Sequence, residues 1–293
     1  MENYIVDNNI YTLAKNKNKD NVTNIEIQDI VFKIVLEIDR VCRKNNIPYA
    51  LSFGSALGLN NYGSFIPWDD DADISMEYSD YLRFVEALSK DIGEDFTFEC
   101  YEVDNRSVVV IPAMKVRYKH SFIKEKNNFT LPNRTKRGNG IFVDVSPLIN
   151  VPNNEKEHKK LIWKSKWSLI PFMLFETLLH INLKGLKKRL KTFEKEVNEK
   201  YVDSGFVSQS VIIPFQEYPK KIVEHLAFPK EIIYPFKEYE FHGVKLYSFN
   251  NVEEFCRLRY GEKSLKKWDG NNYLAPFNKK DAGEHLRIVE IYK

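Results

Sequence analysis

The stretch Ile66-Pro67-Trp68-Asp69-Asp70-Asp71-Ala72-Asp73-Ile74 decides how this chain is read. It sets four carboxylates within five residues, flanked by Trp and Ile. Negative charge at that density is unfavourable unless a cation or solvent offsets it. On a strand, Asp71 and Asp73 share one face while Ala72 and Ile74 share the other. Two same-face carboxylates at a strand end suit Mg²⁺ or Mn²⁺, hard cations that take oxygen ligands and are often shared with substrate phosphates. The plain alternative is an acidic, solvated turn. The flanking apolar residues argue against it, because they tie the cluster to the edge of a core.

Upstream, Ile27, Ile30, Val31, Ile34, Val35, Ile38 and Val41 recur at three- and four-residue steps, which predicts an amphipathic helix ended by Pro48. Tyr49–Phe53 reads as a short buried strand, and Gly54-Ser55 opens a brief helix through Leu59. The order is therefore strand, Gly-Ser turn, helix start, then a second strand carrying the acids. A helix is expected from Ser79 to Lys90, with Tyr81, Phe84, Val85 and Leu88 inward. The segments Phe96–Tyr101, Ser107–Tyr118 and Ile141–Ser146 read as strands. Asp144 stands between Val143 and Val145, where a carboxylate is costly unless paired or bound to metal. A strand-end cap is the less demanding explanation; a site shared with Asp71 and Asp73 is the other. In a shared site, removing Asp144 relieves repulsion and is expected to raise the stability of the metal-free protein.

Composition narrows the class. The 293 residues can bury a sizeable core, and Lys plus Arg exceed Asp plus Glu by only 44 − 41 = 3, so bulk nucleic-acid binding is not expected. Charge is uneven, however: Lys115 to Arg137 holds eight Lys or Arg against Glu125 alone. Such a run either attracts phosphates or forms a solvated basic loop. Within it, Lys115 and Arg117 alternate and can face the same way on a strand. Cys42, Cys100 and Cys256 show no metal spacing or disulfide framework, which suits a reducing compartment. The start, Met1-Glu2-Asn3-Tyr4, lacks a secretory pattern, and no apolar run is long enough to span a bilayer. A cytoplasmic location is expected.

Organisation is read as a loose arm over 1–25, a catalytic core over 26–150, a mainly helical region over 151–235, and a segment over 236–293 that packs back on the core. From Glu155 to Tyr201 the chain is aromatic early (Trp163, Trp167, Phe172, Phe175) and basic late (Lys184, Lys187, Lys188, Arg189, Lys191), with Pro171 as a break. A helical hairpin packed on the core is the favoured reading. The other is a surface for a membrane or a lipid-linked acceptor, hence peripheral contact at the inner face of the membrane.

These residues carry a family resemblance. A strand ending in Gly-Ser, an Asp-x-Asp segment and a third Asp on a later strand resemble the nucleotidyltransferase fold. More closely, Phe53-Gly54-Ser55-Ala56-Leu57-Gly58, the segment Phe65 to Ile74, and Ile141-Phe142-Val143-Asp144-Val145-Ser146-Pro147-Leu148 resemble the LicD family. Arg259-Tyr260-Gly261, with Trp268 and Pro276, resembles its C-terminal element. The resemblance covers residues 26–150 well and the C-terminal segment weakly. It implies an α+β mixed sheet flanked by helices, with a helical insertion. It also implies transfer of a phospho-alcohol, phosphocholine as first guess, from a CDP-linked donor to a hydroxyl of a cell-surface glycan or its lipid-linked precursor.

In that scheme Asp71, Asp73 and Asp144 hold Mg²⁺ or Mn²⁺, while Gly54, Ser55, Lys115 and Arg117 bind the donor. Asp144 is either a metal ligand or the base that takes the acceptor's proton. Two departures stand out: Asn60-Asn61 occupies the place of a family arginine, and Ser64 that of a glycine. Losing the arginine removes a bidentate phosphate contact. Competing readings are a metal-dependent glycosyltransferase, which leaves Gly54-Ser55 unexplained, and an inactive binding module of the same fold. An EF-hand loop lacks its Gly at Ile74 and its Glu at Asp80.

Overall fold

The computed structural model describes residues 24–67, 69–104, 114–125, 140–172, 184–209, 227–266 and 286–291. The expected N-terminal arm, the first part of the strand Ser107–Tyr118, most of the basic run after Glu125, and Trp268 and Pro276 lie outside the described residues.

Helix α1 (Asn24–Lys44) forms where the apolar period requires it. Each of its seven stripe residues, Ile27 through Val41, is at most 5% exposed. Burying that stripe holds the helix more than propensity does. Strand β1 (Ala50–Ser52) runs straight into α2 (Phe53–Tyr62), which stops at Gly63 in a left-handed conformation (φ 64°). Gly58 lets α2 approach the returning chain: a Cβ there would sit 2.5 Å from the Ser64 carbonyl oxygen. Strand β2 (Asp73–Glu77) and α3 (Tyr78–Asp91) follow. Next come β3 (Phe96–Cys100), β4 (Met114–Tyr118), β5 (Ser121–Glu125) and β6 (Phe142–Asn150).

The chain then forms α4 (Glu155–Phe172), α5 (Lys184–Lys200), β7 (Phe206–Ser208), β8 (Phe228–Pro229) and the single turn α6 (Lys230–Ile233). A hairpin, β9 (Lys237–Phe241) and β10 (Val244–Ser248), leads to α7 (Val252–Tyr260), and β11 (Leu286–Ile291) comes last.

The main sheet is mixed, in the order β3-β4-β6-β2-β1-β10-β9, with β7 joined to β6 and β8 to β7. Pairs β6–β2 and β1–β10 are parallel; the others are antiparallel. The C-terminal hairpin therefore extends the sheet beyond β1. Helices α1 and α3 pack together on β6, and α7 packs on α2. This is the α+β architecture that was expected.

Three local expectations are corrected. Strand β2 begins at Asp73, so Asp71 lies in the preceding loop and does not share a strand face with Asp73. The cause is a turn: the Asp69 amide donates to the Ile66 carbonyl at 3.0 Å, and Gln28 Nε2 on α1 donates to the carbonyls of Ile66 (2.9 Å) and Asp69 (2.8 Å). Strand β6 runs on past Ser146 through Pro147 to Asn150, because its far end gains β7 as a partner. The described part of the basic run is not a solvated loop but strands β4 and β5, the latter paired with β11. Pro171 lies in the last turn of α4, which ends one residue later at Phe172, and the next described helix begins at Lys184, in keeping with the expected break.

Candidate active site

Sheet register lines up one row of polar side chains. Ser52 of β1 pairs with Asp73 of β2, Asp73 with Asp144 of β6, Asp144 with Lys115 of β4, and Lys115 with Glu99 of β3. Residues in register on neighbouring strands project to the same face, so Asp73 and Asp144 stand side by side. Lys115 Nζ lies 2.9 Å from Asp144 Oδ1 and 3.2 Å from the centre of the Phe142 ring. Both partners are mostly buried, with side chains 9% and 16% exposed.

The loop acids reach the same place through Gly54. A Cβ on that glycine would lie 2.9 Å from Asp69 Oδ2 and 3.7 Å from Asp73 Oδ2, so both carboxylates sit over the first turn of α2. Any side chain there would push Asp69 away. The helix start carries partial positive charge from its unpaired amides, which favours anions at this spot. Phe53, its first residue, holds φ at 44°, a left-handed value that costs about 1 kcal/mol or more for a non-glycine residue. Asp69, Asp70 and Asp71 each place a carboxylate oxygen within 4.8 Å of the others, with Asp70 buried. An all-oxygen, all-carboxylate set of this kind fits Mg²⁺ or Mn²⁺ rather than a softer metal.

Ser55 is buried, and its hydroxyl accepts the Asp73 amide at 2.9 Å. That contact positions the start of β2. Arg117 is also buried, but it is committed elsewhere. Its Nη1 donates to the Gly140 carbonyl at 3.1 Å and its Nη2 lies 3.7 Å from Glu99 Oε2, opposite Phe142 rather than Asp144. The structure thus brings together Gly54, Ser55, Asp71, Asp73, Asp144 and Lys115, and leaves Arg117 one step along the sheet.

Sequence reasoning missed four contributors. Asp69 was inside the quoted motif but not assigned. Gln28 carried no signal, being one glutamine on a helix 41 positions from the carbonyl it holds. Arg259 and Tyr260 were visible only as part of the C-terminal motif; they arrive on α7. The Arg259 guanidinium lies 5.3 Å from the Phe53 ring centre, and its Nε is buried without a hydrogen-bond partner among the described residues. Loss of solvent above all raises the Tyr260 phenol pKa, with Arg259 opposing and the charges of Asp73 and Asp69 adding to the rise. That coupling puts its hydroxyl within electrostatic reach of the acids.

Paired aspartates on neighbouring strands thus stand beside a Gly-Ser helix start that receives a further acid. Comparisons with known proteins bear on this arrangement. Residues 46–186 match the family described as LicD/FKTN/FKRP, nucleotidyltransferase domain, a span that includes Gly54, the Asp69–Asp73 segment and Asp144. The chain is 23% identical over 270 residues to the lipopolysaccharide cholinephosphotransferase LicD of Haemophilus influenzae, covering 91% of this chain and 89% of that one. It is 28% identical over 101 residues to the uncharacterized protein RT0683 of Rickettsia typhi, covering 34% and 30% respectively. Both the family match and the Haemophilus likeness support the LicD family for this chain.

Proposed function

We propose that this protein transfers a phospho-alcohol, phosphocholine in the first instance, from a CDP-linked donor to a hydroxyl of a cell-surface glycan or its lipid-linked precursor. The observation that carries the reading is the placement of Asp69 and Asp73 over the positive end of α2, with Asp144 in register beside Asp73. The name of the Haemophilus relative supports the choline head group and a lipopolysaccharide-type acceptor.

Asp69, Asp73 and Asp144 are the residues that would hold Mg²⁺ or Mn²⁺, which when bound supplies charge neutralisation for a pyrophosphate. The acceptor oxygen attacks the choline-bearing phosphorus, and the bond from that phosphorus to the bridging anhydride oxygen breaks. CMP leaves with the electron pair. Lys115 already engages Asp144, so Asp144 is a poor place to put a proton. We assign the acceptor's proton to the half-buried loop carboxylate Asp71 instead. The α2 amides near Gly54 and the unpartnered Nε of Arg259 face a donor phosphate. Arg259 then supplies the cation that Asn60-Asn61 does not.

Incubation with a panel of CDP-alcohols and Mg²⁺, followed by assay of released nucleotide, tests this. CMP release that requires metal and favours CDP-choline is expected. No CMP from any donor, or release of a nucleoside diphosphate from a sugar nucleotide, rejects the proposal in favour of a binding module or a glycosyltransferase.

A further inference from the structure

Helix α4 has two faces of unlike character. His158, Ile162 and Ser165 are buried, at 2%, 0% and 0% exposure, and seat the helix on the protein. The opposite face carries Trp163, Trp167 and Ile170 at steps of four and three, and these are 50%, 68% and 41% exposed. Lys156 and Lys160 lie on the same outward side and Lys164 at its margin, with its Nζ 4.8 Å from the Phe193 ring centre; all three are exposed. The helix has only two acids, Glu155 and Glu157, both in its first turn. Glu157 is held there by the Tyr201 hydroxyl at 2.5 Å and by Lys200 at 3.3 Å.

We infer that this face docks on an anionic lipid leaflet. Two exposed tryptophans on one helix face are costly in water and unusual on a soluble surface. Their rings suit the headgroup boundary, with an apolar body and one N–H donor. Lysines around them supply complementary charge and can lay their stems along the apolar surface while their ammonium groups meet lipid phosphates. Among the described residues no helix is long and apolar enough to cross a membrane, so this contact is interfacial. Nothing in the inference depends on which group the active site transfers.

The test is flotation of the full chain with phosphatidylcholine vesicles, with and without phosphatidylglycerol, at low and high salt. Binding to the anionic vesicles is expected, with a blue shift of tryptophan emission and weakening by salt. W163A/W167A should bind at least about tenfold more weakly. The K156Q/K160Q/K164Q variant should lose about fivefold per lysine, about a hundredfold in all, at low salt. Both should keep the wild-type circular dichroism, because the altered side chains are exposed. Failure of the wild type to bind anionic vesicles, equal binding to neutral ones, or unchanged binding by the tryptophan variant would overturn the inference. So would a concentration-dependent dimer that W163A/W167A dissolves without any vesicle binding, since the face would then seat a second copy.

Discussion

Replacing Asp144 by Asn separates the two jobs its carboxylate performs. From the sequence, loss of one acid from a crowded site is expected to stabilise the metal-free protein. Lys115 reverses that sign. At 2.9 Å the pair's attraction is about 6 kcal/mol at an effective dielectric constant of 20, before the cost of drying both groups is subtracted. Removing one partner of a fully buried pair costs about 3–5 kcal/mol. Side-chain exposures of 9% and 16%, and relief of repulsion from Asp73, reduce this to about 2–3 kcal/mol. Unfolding entropy of about 2.1 cal/mol/K per residue over 293 residues makes each kcal/mol worth about 1.6 °C. Asp144→Asn should therefore melt about 3–5 °C lower without metal and gain less than wild type on adding Mg²⁺. Lys115→Met should also melt lower in the apo form but gain more from Mg²⁺, because the acids then lack their resident cation. The double variant should recover most of the loss, since neither charge is left unpaired. Melts of all four proteins with EDTA or Mg²⁺ decide this. A metal-free Asp144→Asn protein as stable as wild type or more so would refute the reasoning.

Four further outcomes are expected. Gly54→Ala should keep the melting temperature within a few degrees, because Asp69 can swing aside, yet weaken Mn²⁺ binding by calorimetry about tenfold. Gly58→Ala, which meets the Ser64 backbone at 2.5 Å, should instead destabilise by about 3 kcal/mol or more in urea titrations. Arg259→Gln should raise KM for the CDP-linked donor about tenfold or more while the fold persists, and an unchanged KM would remove Arg259 from the donor site. His158 is buried, and loss of solvent lowers its pKa from 6.5 to about 4. The unfolded chain therefore binds the proton first, so stability is full above about pH 6.5 and falls toward pH 4, by about 3 kcal/mol. His158→Leu should flatten that limb in urea titrations across the range.

Much of the fold was legible because it rests on local pattern. The α1 stripe, the β1–Gly-Ser–α2 unit and the lone acid in β6 each announce themselves within a short stretch of neighbouring residues. What the sequence hid was set at long range. Asp71 was placed on a strand by alternation, but Gln28, reaching from another helix, turns the chain before the strand begins. Lys115 and Arg117 do alternate on β4, yet only the register with β6 shows that Lys115 meets Asp144 while Arg117 stands opposite Phe142. Arg259 and Tyr260 reach the acids because α7 packs on α2, a contact across some two hundred positions that no periodicity encodes.

The most direct measurement is phosphorus NMR of CDP-choline consumed by the protein with Mg²⁺ and an acceptor glycan. The account predicts one new phosphodiester resonance on the glycan and one of CMP, rising together and absent with EDTA or in Asp73→Asn. Consumption that yields no glycan phosphodiester, or that proceeds undiminished in Asp73→Asn, would contradict it.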